Sequence, residues 1–284
     1  MGLLTSALTG ARDLLGARRD PRRTAWPDVT PAAAPRRVAC CICGWSGPGF
    51  QGVAHCESST CPACGSIARD RFLYHCFVRR TQWRPGLRVL ETSPRLGADY
   101  REAMARRVDY LCSDYDQRAH RGAISVDLQA IEMADASLDV VLSAHVLEHV
   151  PDTDRALSEL HRVLKPGGHL FLQVPLLQGG TAPPAEPEYH GDRTLVYWRF
   201  GWDLTARIRE HGFACTALVT RDLYRRSRGG DPGWPSVSPE FDVEEILRMV
   251  RPGDLTPVAT DRVARRARFE PSYMFVTWHA SKAG

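Results

Sequence analysis

The stretch "SLDVVLSAHVLEHVPDTDRALSELHRVLKPGGHLFLQVP", residues 137–175, decides the fold. It opens with a mainly apolar run, "LDVVLSAHV" at 138–146, and closes with a second, "HLFLQVP" at 169–175. Runs of that length, apolar on both sides, read as strands buried on both faces. Between them "DTDRALSELHRVLKPGG", 152–168, changes to helical spacing. Asp152 is placed to cap this helix, and Ala156, Leu157, Leu160, Val163 and Leu164 fall on one face. Pro166, Gly167 and Gly168 stop it. Strand, amphipathic helix, strand is the unit from which parallel sheets are built. Asp139 starts its strand, at the end away from any ligand edge, and reads as structural.

The same alternation extends both ways. Upstream come "LRVLET" (87–92) as a strand, "GADYREAMARR" (97–107) as a helix, and "VDYLCSD" (108–114) and "AISVDL" (123–128) as strands. Downstream, "GWDLTARIREHGF" is a helix, and "ACTALVT" and "SYMFVTWHA" are the last two strands. This makes an α/β protein with seven strands, mostly parallel. Residues 221–270 interrupt the final pair, either as a lid over a site or as a surface insertion.

Ahead of the sheet lies "CCICGWSGPGFQGVAHCESSTCPACGS", 40–66. Cys40 and Cys43 form one Cys-x-x-Cys and Cys61 and Cys64 another, each followed by glycine, Gly44 and Gly65. Doubled knuckles at this spacing suit a tetrahedral zinc ion, and four thiolates leave no position open for catalysis. The glycines would turn backbone N–H groups toward the sulfurs. Cys41, His55 and Cys56 are spare, and Ser66 can cap a helix striped by Ile67, Leu73, Cys76 and Phe77. The organisation expected is a basic leading segment (1–38), a zinc-ribbon-like module with its helix (39–82), and an α/β domain (83–284).

Nine cysteines cannot all pair, and neither an apolar leader nor a run approaching about 20 apolar residues is seen, so a cytoplasmic protein is expected. Net charge is +4, and residues 1–40 account for all of it, with seven Arg against three Asp. With a neutral remainder and only Lys165 and Lys282 as lysines, nucleic acid is a poor partner.

The 137–175 stretch resembles the core of class I S-adenosylmethionine-dependent methyltransferases, whose sheet is Rossmann-like. "CPACGSIARDRFLYHCF" in front of it resembles a bacterial group of these enzymes that carries a Cys-rich segment, with Arg69 and Arg71 matching too. The resemblance implies a cofactor over the carboxyl ends of the strands. Where the family has acid-x-Gly-x-Gly-x-Gly, this chain has Glu91, Ser93, Arg95 and Gly97, so only the acid and the last glycine remain. Asp114, 23 residues after Glu91, is placed to accept from ribose hydroxyls, with Asp116 as substitute. By resemblance Asp127 accepts from the adenine amino group, Leu128 packs on the ring, and Ala144 and His145 line the sulfonium end.

Methyl transfer needs alignment, exclusion of water and removal of a proton from the acceptor. His145, His149 and His190 are the candidates for the last task, whereas His161 reads as a surface residue. Five of the chain's 24 aromatic residues, Tyr189, Tyr197, Trp198, Phe200 and Trp202, crowd into 189–202, as pocket wall or as packing. The expected activity is methyl transfer to a small or sugar-containing acceptor, at oxygen. The alternatives are an RNA methyltransferase gripping RNA through the zinc ribbon, and a non-catalytic zinc scaffold. Loss of the zinc is expected to impair substrate use more than cofactor affinity.

Overall fold

The computed structural model describes residues 37–52, 59–115, 124–176, 178–190, 193–229, 249–269 and 276–284. Nearly all of the leading segment, His55, Cys56, Asp116 and much of 221–270 lie outside them.

In chain order the elements are β1 (Val38–Ala39), β2 (Ser46–Gly47), α1 (Ala68–Arg80), β3 (Arg88–Thr92), α2 (Ala98–Ala105), β4 (Asp109–Asp114), β5 (Ile124–Ser125) and β6 (Leu138–Ala144). There follow α3 (Thr153–Val163), β7 (Leu164–Gln173), β8 (Glu188–Tyr189), β9 (Leu195–Val196), α4 (Leu204–Glu210) and β10 (Phe213–Thr220). The last are α5 (Arg221–Gly229), β11 (Leu255–Ala259), α6 (Asp261–Ala267) and β12 (Thr277–Lys282).

The main sheet has the order β11-β10-β12-β7-β6-β3-β4-β5, and β12 alone runs against the others. The seven expected strands are all present. The eighth, β11, comes from the 221–270 segment and pairs in parallel with β10 at the edge. Pro257 removes a backbone donor, which only an edge position tolerates. Among the described residues no helix is long and apolar enough to cross a membrane.

Period-two alternation divides the core between the two faces of the sheet. Leu90, Val141, Leu170 and Leu172 meet Ala156, Leu157, Leu160 and Val163 of α3 and Ile208 of α4. Val89, Val140, Leu142 and Phe171 meet Phe72 and Phe77 of α1, Met104 of α2 and Ala264 of α6. The helix that follows the cysteines therefore shares the core of the sheet.

Two local details depart from the sequence reading. Helix α3 is capped by Asp152, which accepts from Arg155 N at 2.9 Å, but it ends at Val163, three residues before Pro166. Proline bars the residue before it from helical angles, so the chain is already extended there. Ser66 does not cap α1; Ile67 holds that position, and Asp70 accepts from its N–H at 3.0 Å. Asp139 is structural as expected: it binds Arg84, Arg88 N and Lys165 at 2.6, 2.9 and 2.8 Å, at the strand end remote from the site. Burial opposes its charge, yet these partners hold its pKa below the usual carboxylate value.

Candidate functional site

Strand order reverses at β3, with β4 on one side and β6 on the other, and a crevice forms at such a switch point. A cavity of about 130 Å³ lies there. Glu91, Ser93, Ala144 and His145 line it, joined by Arg69, Asp70, Leu73 and Tyr74 from α1. The α1 contribution was missed in the sequence because the helix reads as part of the cysteine module; its 69/70/73/74 spacing was the available signal.

Glu91 is buried and accepts from the hydroxyls of Tyr100 at 2.9 Å and Tyr110 at 2.7 Å. Loss of water outweighs these two neutral donors and lifts its pKa to about 7. Ser93, at the family's first glycine position, adopts φ +47°, the left-handed turn that glycine favours, and its N–H donates to Ser113 O at 2.6 Å. Arg95, at the second, reaches Gly65 O and Asp70 Oδ2, both at 3.1 Å. The substituted glycine thus ties the cavity loop to the cysteine knuckle. Gly97 precedes α2 at φ −70°, where no side chain would be strained.

Asp114, Asp127, Leu128 and Gly97 do not line this cavity. Asp114 is buried at the tip of β4. Asp127 is half-buried, and its Oδ1 is engaged by Gln129 N at 2.8 Å. Leu128 belongs to the core.

The four knuckle cysteines gather into one cluster. Sγ–Sγ distances are 3.7 Å for Cys40–Cys64 and 3.8 Å for Cys43–Cys61. Four sulfurs about 2.3 Å from a tetrahedral ion would stand about 3.8 Å apart. Gly44 and Gly65 take φ +79° and +70°, but their N–H groups close the turns onto Cys40 O and Cys61 O, not onto sulfur. The sulfurs are met instead by the backbone of Ile42 and Cys43 at Cys40, of Trp45 at Cys43 and of Ser66 at Cys64, and by Ser66 Oγ, 3.4 Å from Cys40 and 3.2 Å from Cys64. Cys41 turns its thiol to Arg71 O and stands outside the cluster. The fully buried Arg71 guanidinium donates to Ser66 O, Ser59 O and Ala267 O at 2.6, 2.9 and 2.8 Å, joining knuckle, α1 and α6.

Beyond β6 the chain turns through His145 at φ +57° into a 3₁₀ turn, Leu147–His149. The β8/β9 ribbon packs on that turn: Tyr197 N donates to Glu148 O, and His149 Nδ1 donates to Leu195 O, both at 2.8 Å. The ribbon brings His190 edge-on to His149, with ring centroids 4.7 Å apart. Glu148, which the sequence reading passed over, lies among the histidines and is 1% exposed. Its Oε1 is 3.5 Å from His145 Nδ1 and 3.9 Å from His149 Nε2.

Of the five clustered aromatics, Phe200 and Trp202 are core, while Tyr189 and Tyr197 are exposed near His190. Trp198 donates to Pro151 O at 3.0 Å. His161 is half-buried, edge-on to Phe213, instead of lying free on the surface.

Comparison with known proteins places these observations. Residues 92–172 match the family model described as a methyltransferase domain. The chain is 35% identical over 101 residues to an arsenite methyltransferase of Aquipseudomonas alcaligenes, covering 33% of this chain and 27% of that protein. It is 32% identical over 123 residues to the methyltransferase GfsG of Streptomyces halstedii, covering 41% of each. It is 33% identical over 110 residues to the 27-O-demethylrifamycin SV methyltransferase of Amycolatopsis mediterranei, covering 37% and 34%. The chain thus spans less than half the length of each of these relatives. Residues 92–172 are a methyltransferase domain of the class I, S-adenosylmethionine-dependent kind.

Proposed function

We propose that the chain transfers a methyl group from S-adenosylmethionine to an oxygen of a small or sugar-containing acceptor. The observation that supports this most is the switch-point cavity, where a buried carboxylate without a cationic hydrogen-bond partner lies beside a glycine-like turn at Ser93. A buried carboxylate whose only donors are neutral hydroxyls suits a cationic ligand group, and the methionine ammonium is one. Glu91 and Ser93 would hold the amino-acid end, Asp114 the ribose, and Asp127 and Leu128 the adenine, with Gly97 opening α2 behind the loop. When bound, S-adenosylmethionine supplies the methyl on a good leaving group. The protein's part is then to orient the acceptor and take its proton. His145 is best placed for that: it lines the cavity, and its buried Nε2 has no hydrogen-bond partner among the described residues. His149 and His190, the other candidates, do not line the cavity, and Glu148 lies within 4 Å of both His145 and His149.

Cys40, Cys43, Cys61 and Cys64 would hold a structural zinc, for which the sulfur spacing is suited. The eight described cysteines are all unpaired, which fits a cytoplasmic, reducing setting. The acceptor class is favoured over RNA by the neutral balance of charge after residue 40. Calorimetric titration with S-adenosylmethionine tests the reading. Binding that is weakened in Glu91→Gln and Asp114→Ala is expected, and no heat at millimolar ligand would dismiss it.

A further inference from the structure

Glu148 poses a problem that methyl transfer alone does not solve. Its carboxylate is 1% exposed, and among the described residues no hydrogen-bond donor meets either oxygen. A buried charge left in that state is costly unless it is paired or coordinates a metal. The nearest groups are imidazole nitrogens at 3.5 and 3.9 Å, too far for a charge-assisted hydrogen bond of about 2.7–2.9 Å. The 3.9 Å between Glu148 Oε1 and His149 Nε2 does suit two ligands that share one ion at about 2.1 Å from each.

The histidines are also prepared as ligands. A carbonyl can only accept, so the 2.8 Å contact between His149 Nδ1 and Leu195 O places a proton on Nδ1. Nε2, the atom facing Glu148, is then the nitrogen that keeps a lone pair in the neutral ring. A ligating histidine fixed through its other nitrogen by a backbone carbonyl is a recurrent second-layer arrangement at metal sites. His190 reaches the same point from the ribbon, and the ligand atoms of Glu148, His149 and His190 all lie within 4.8 Å of one another.

We propose that Glu148, His149 and His190 form a divalent-cation site beside the cofactor cavity, separate from the cysteine cluster. Two imidazoles and one carboxylate suit a first-row cation such as Mn²⁺ or Fe²⁺, and three protein ligands leave positions open for outside oxygens. His145, which borders both the cavity and Glu148, would join the two. An acceptor hydroxyl bound at one of the open positions would be acidified by the cation, and its proton could pass to His145 Nε2. That role rests on the methyl-transfer reading; cation binding itself does not.

The test is Mn²⁺ titration of the full-length protein, followed by electron paramagnetic resonance without acceptor or cofactor. Mn²⁺ is a poor partner for four thiolates, so the signal reports the nitrogen and oxygen site. One Mn²⁺ per chain is expected, with affinity reduced by about a hundredfold in Glu148→Gln and in His190→Ala. His190 is only half-buried in a surface ribbon, so its variant remains informative if the buried change at Glu148 prevents folding. S-adenosylmethionine binding is measured on the same samples. If the cofactor binds but free Mn²⁺ persists at stoichiometric protein, the cation site is wrong and the proposed activity stands. If Mn²⁺ binds but the cofactor does not, the activity falls and the site survives. Equal Mn²⁺ affinity in wild type and both variants overturns the site.

Discussion

Glu91 and Glu148 are both sunk at the carboxyl edge of the sheet, 8% and 1% exposed, in opposite surroundings. Glu91 has two hydroxyl donors and no cation among its hydrogen-bond partners, and burial lifts its pKa to about 7. Glu148 has no donor at bonding distance among the described residues, yet it stays ionised. Burial alone would raise its pKa, but His145 and then His149 beside it hold it below the ordinary value. Hydrogen bonds and charge are thus supplied separately at the two corners. The first corner stores a proton that a cationic ligand can displace, and the second keeps a charge that lacks directional partners.

The two corners also hang from different parts of the molecule, which leads to the largest expected effect. Glu91's cavity is walled by α1 and by the Arg95 loop, both tied to the cysteine knuckles through Arg71, Gly65 and Asp70. Glu148 is held by the β8/β9 ribbon. Cys43→Ser should therefore weaken S-adenosylmethionine binding by more than about tenfold. Mn²⁺ affinity at the histidines should change by no more than about twofold, as for independent sites. Calorimetry and electron paramagnetic resonance on one sample read both. This places the cost of metal loss on the cofactor, whereas the sequence alone points to the substrate. Parallel losses would show that the corners form one cooperative unit.

Stability should separate the two carboxylates by size. Glu91→Met leaves the hydroxyls of buried Tyr100 and half-buried Tyr110 without this acceptor and is expected to cost about 2 kcal/mol at pH 6. Glu148→Met in metal-free protein removes a charge that His145 and His149 favour only across long contacts, and is expected to cost less, about 1 kcal/mol near neutral pH. Urea unfolding measures both. A loss at Glu148 larger than that at Glu91 would mean that the long contacts to the histidines act as close ion pairs.

The sheet was legible because its strands are buried on both faces and its helices on one, which writes two periods into the sequence. β11 was not, since "LTPVA" carries a proline and lies inside a segment with no strand-like alternation. Glu91, Ser93, Ala144 and His145 could be placed at the cavity because the family pattern sets them at the tips of the two central strands, β3 and β6, whereas Asp114 and Asp127, at the tips of outer strands, lie outside it. Glu148 could not. In "HVLEHV" it looks like one polar residue in an exposed turn, and only the ribbon 40 residues downstream buries it and brings His190 alongside. Arg95 was misleading for a similar reason: read as a lost glycine, it gains its meaning from Gly65 and Asp70, 30 and 25 residues earlier.

The smallest effect concerns proton traffic at the first corner. Glu91 has a folded pKa near 7, above its ordinary value of 4.5. The native state therefore holds the proton more tightly than the unfolded chain. Its contribution to stability is full below about pH 4.5 and declines as pH rises toward 7, a loss of about 3 kcal/mol in the unliganded protein. Glu91→Gln should remove that slope in urea melts taken across the window. A bound ammonium reverses the preference, because it favours the ionised carboxylate. Below pH 7 each bound S-adenosylmethionine must then displace a proton, and affinity should fall up to tenfold per pH unit. Above about pH 8 the α-amino group loses its own proton, so affinity should peak between about 7 and 8. Titrations in buffers of different ionisation enthalpy would register the released proton directly. A flat profile on the acid side, unchanged in Glu91→Gln, would place the ammonium elsewhere and remove the contrast between the two carboxylates.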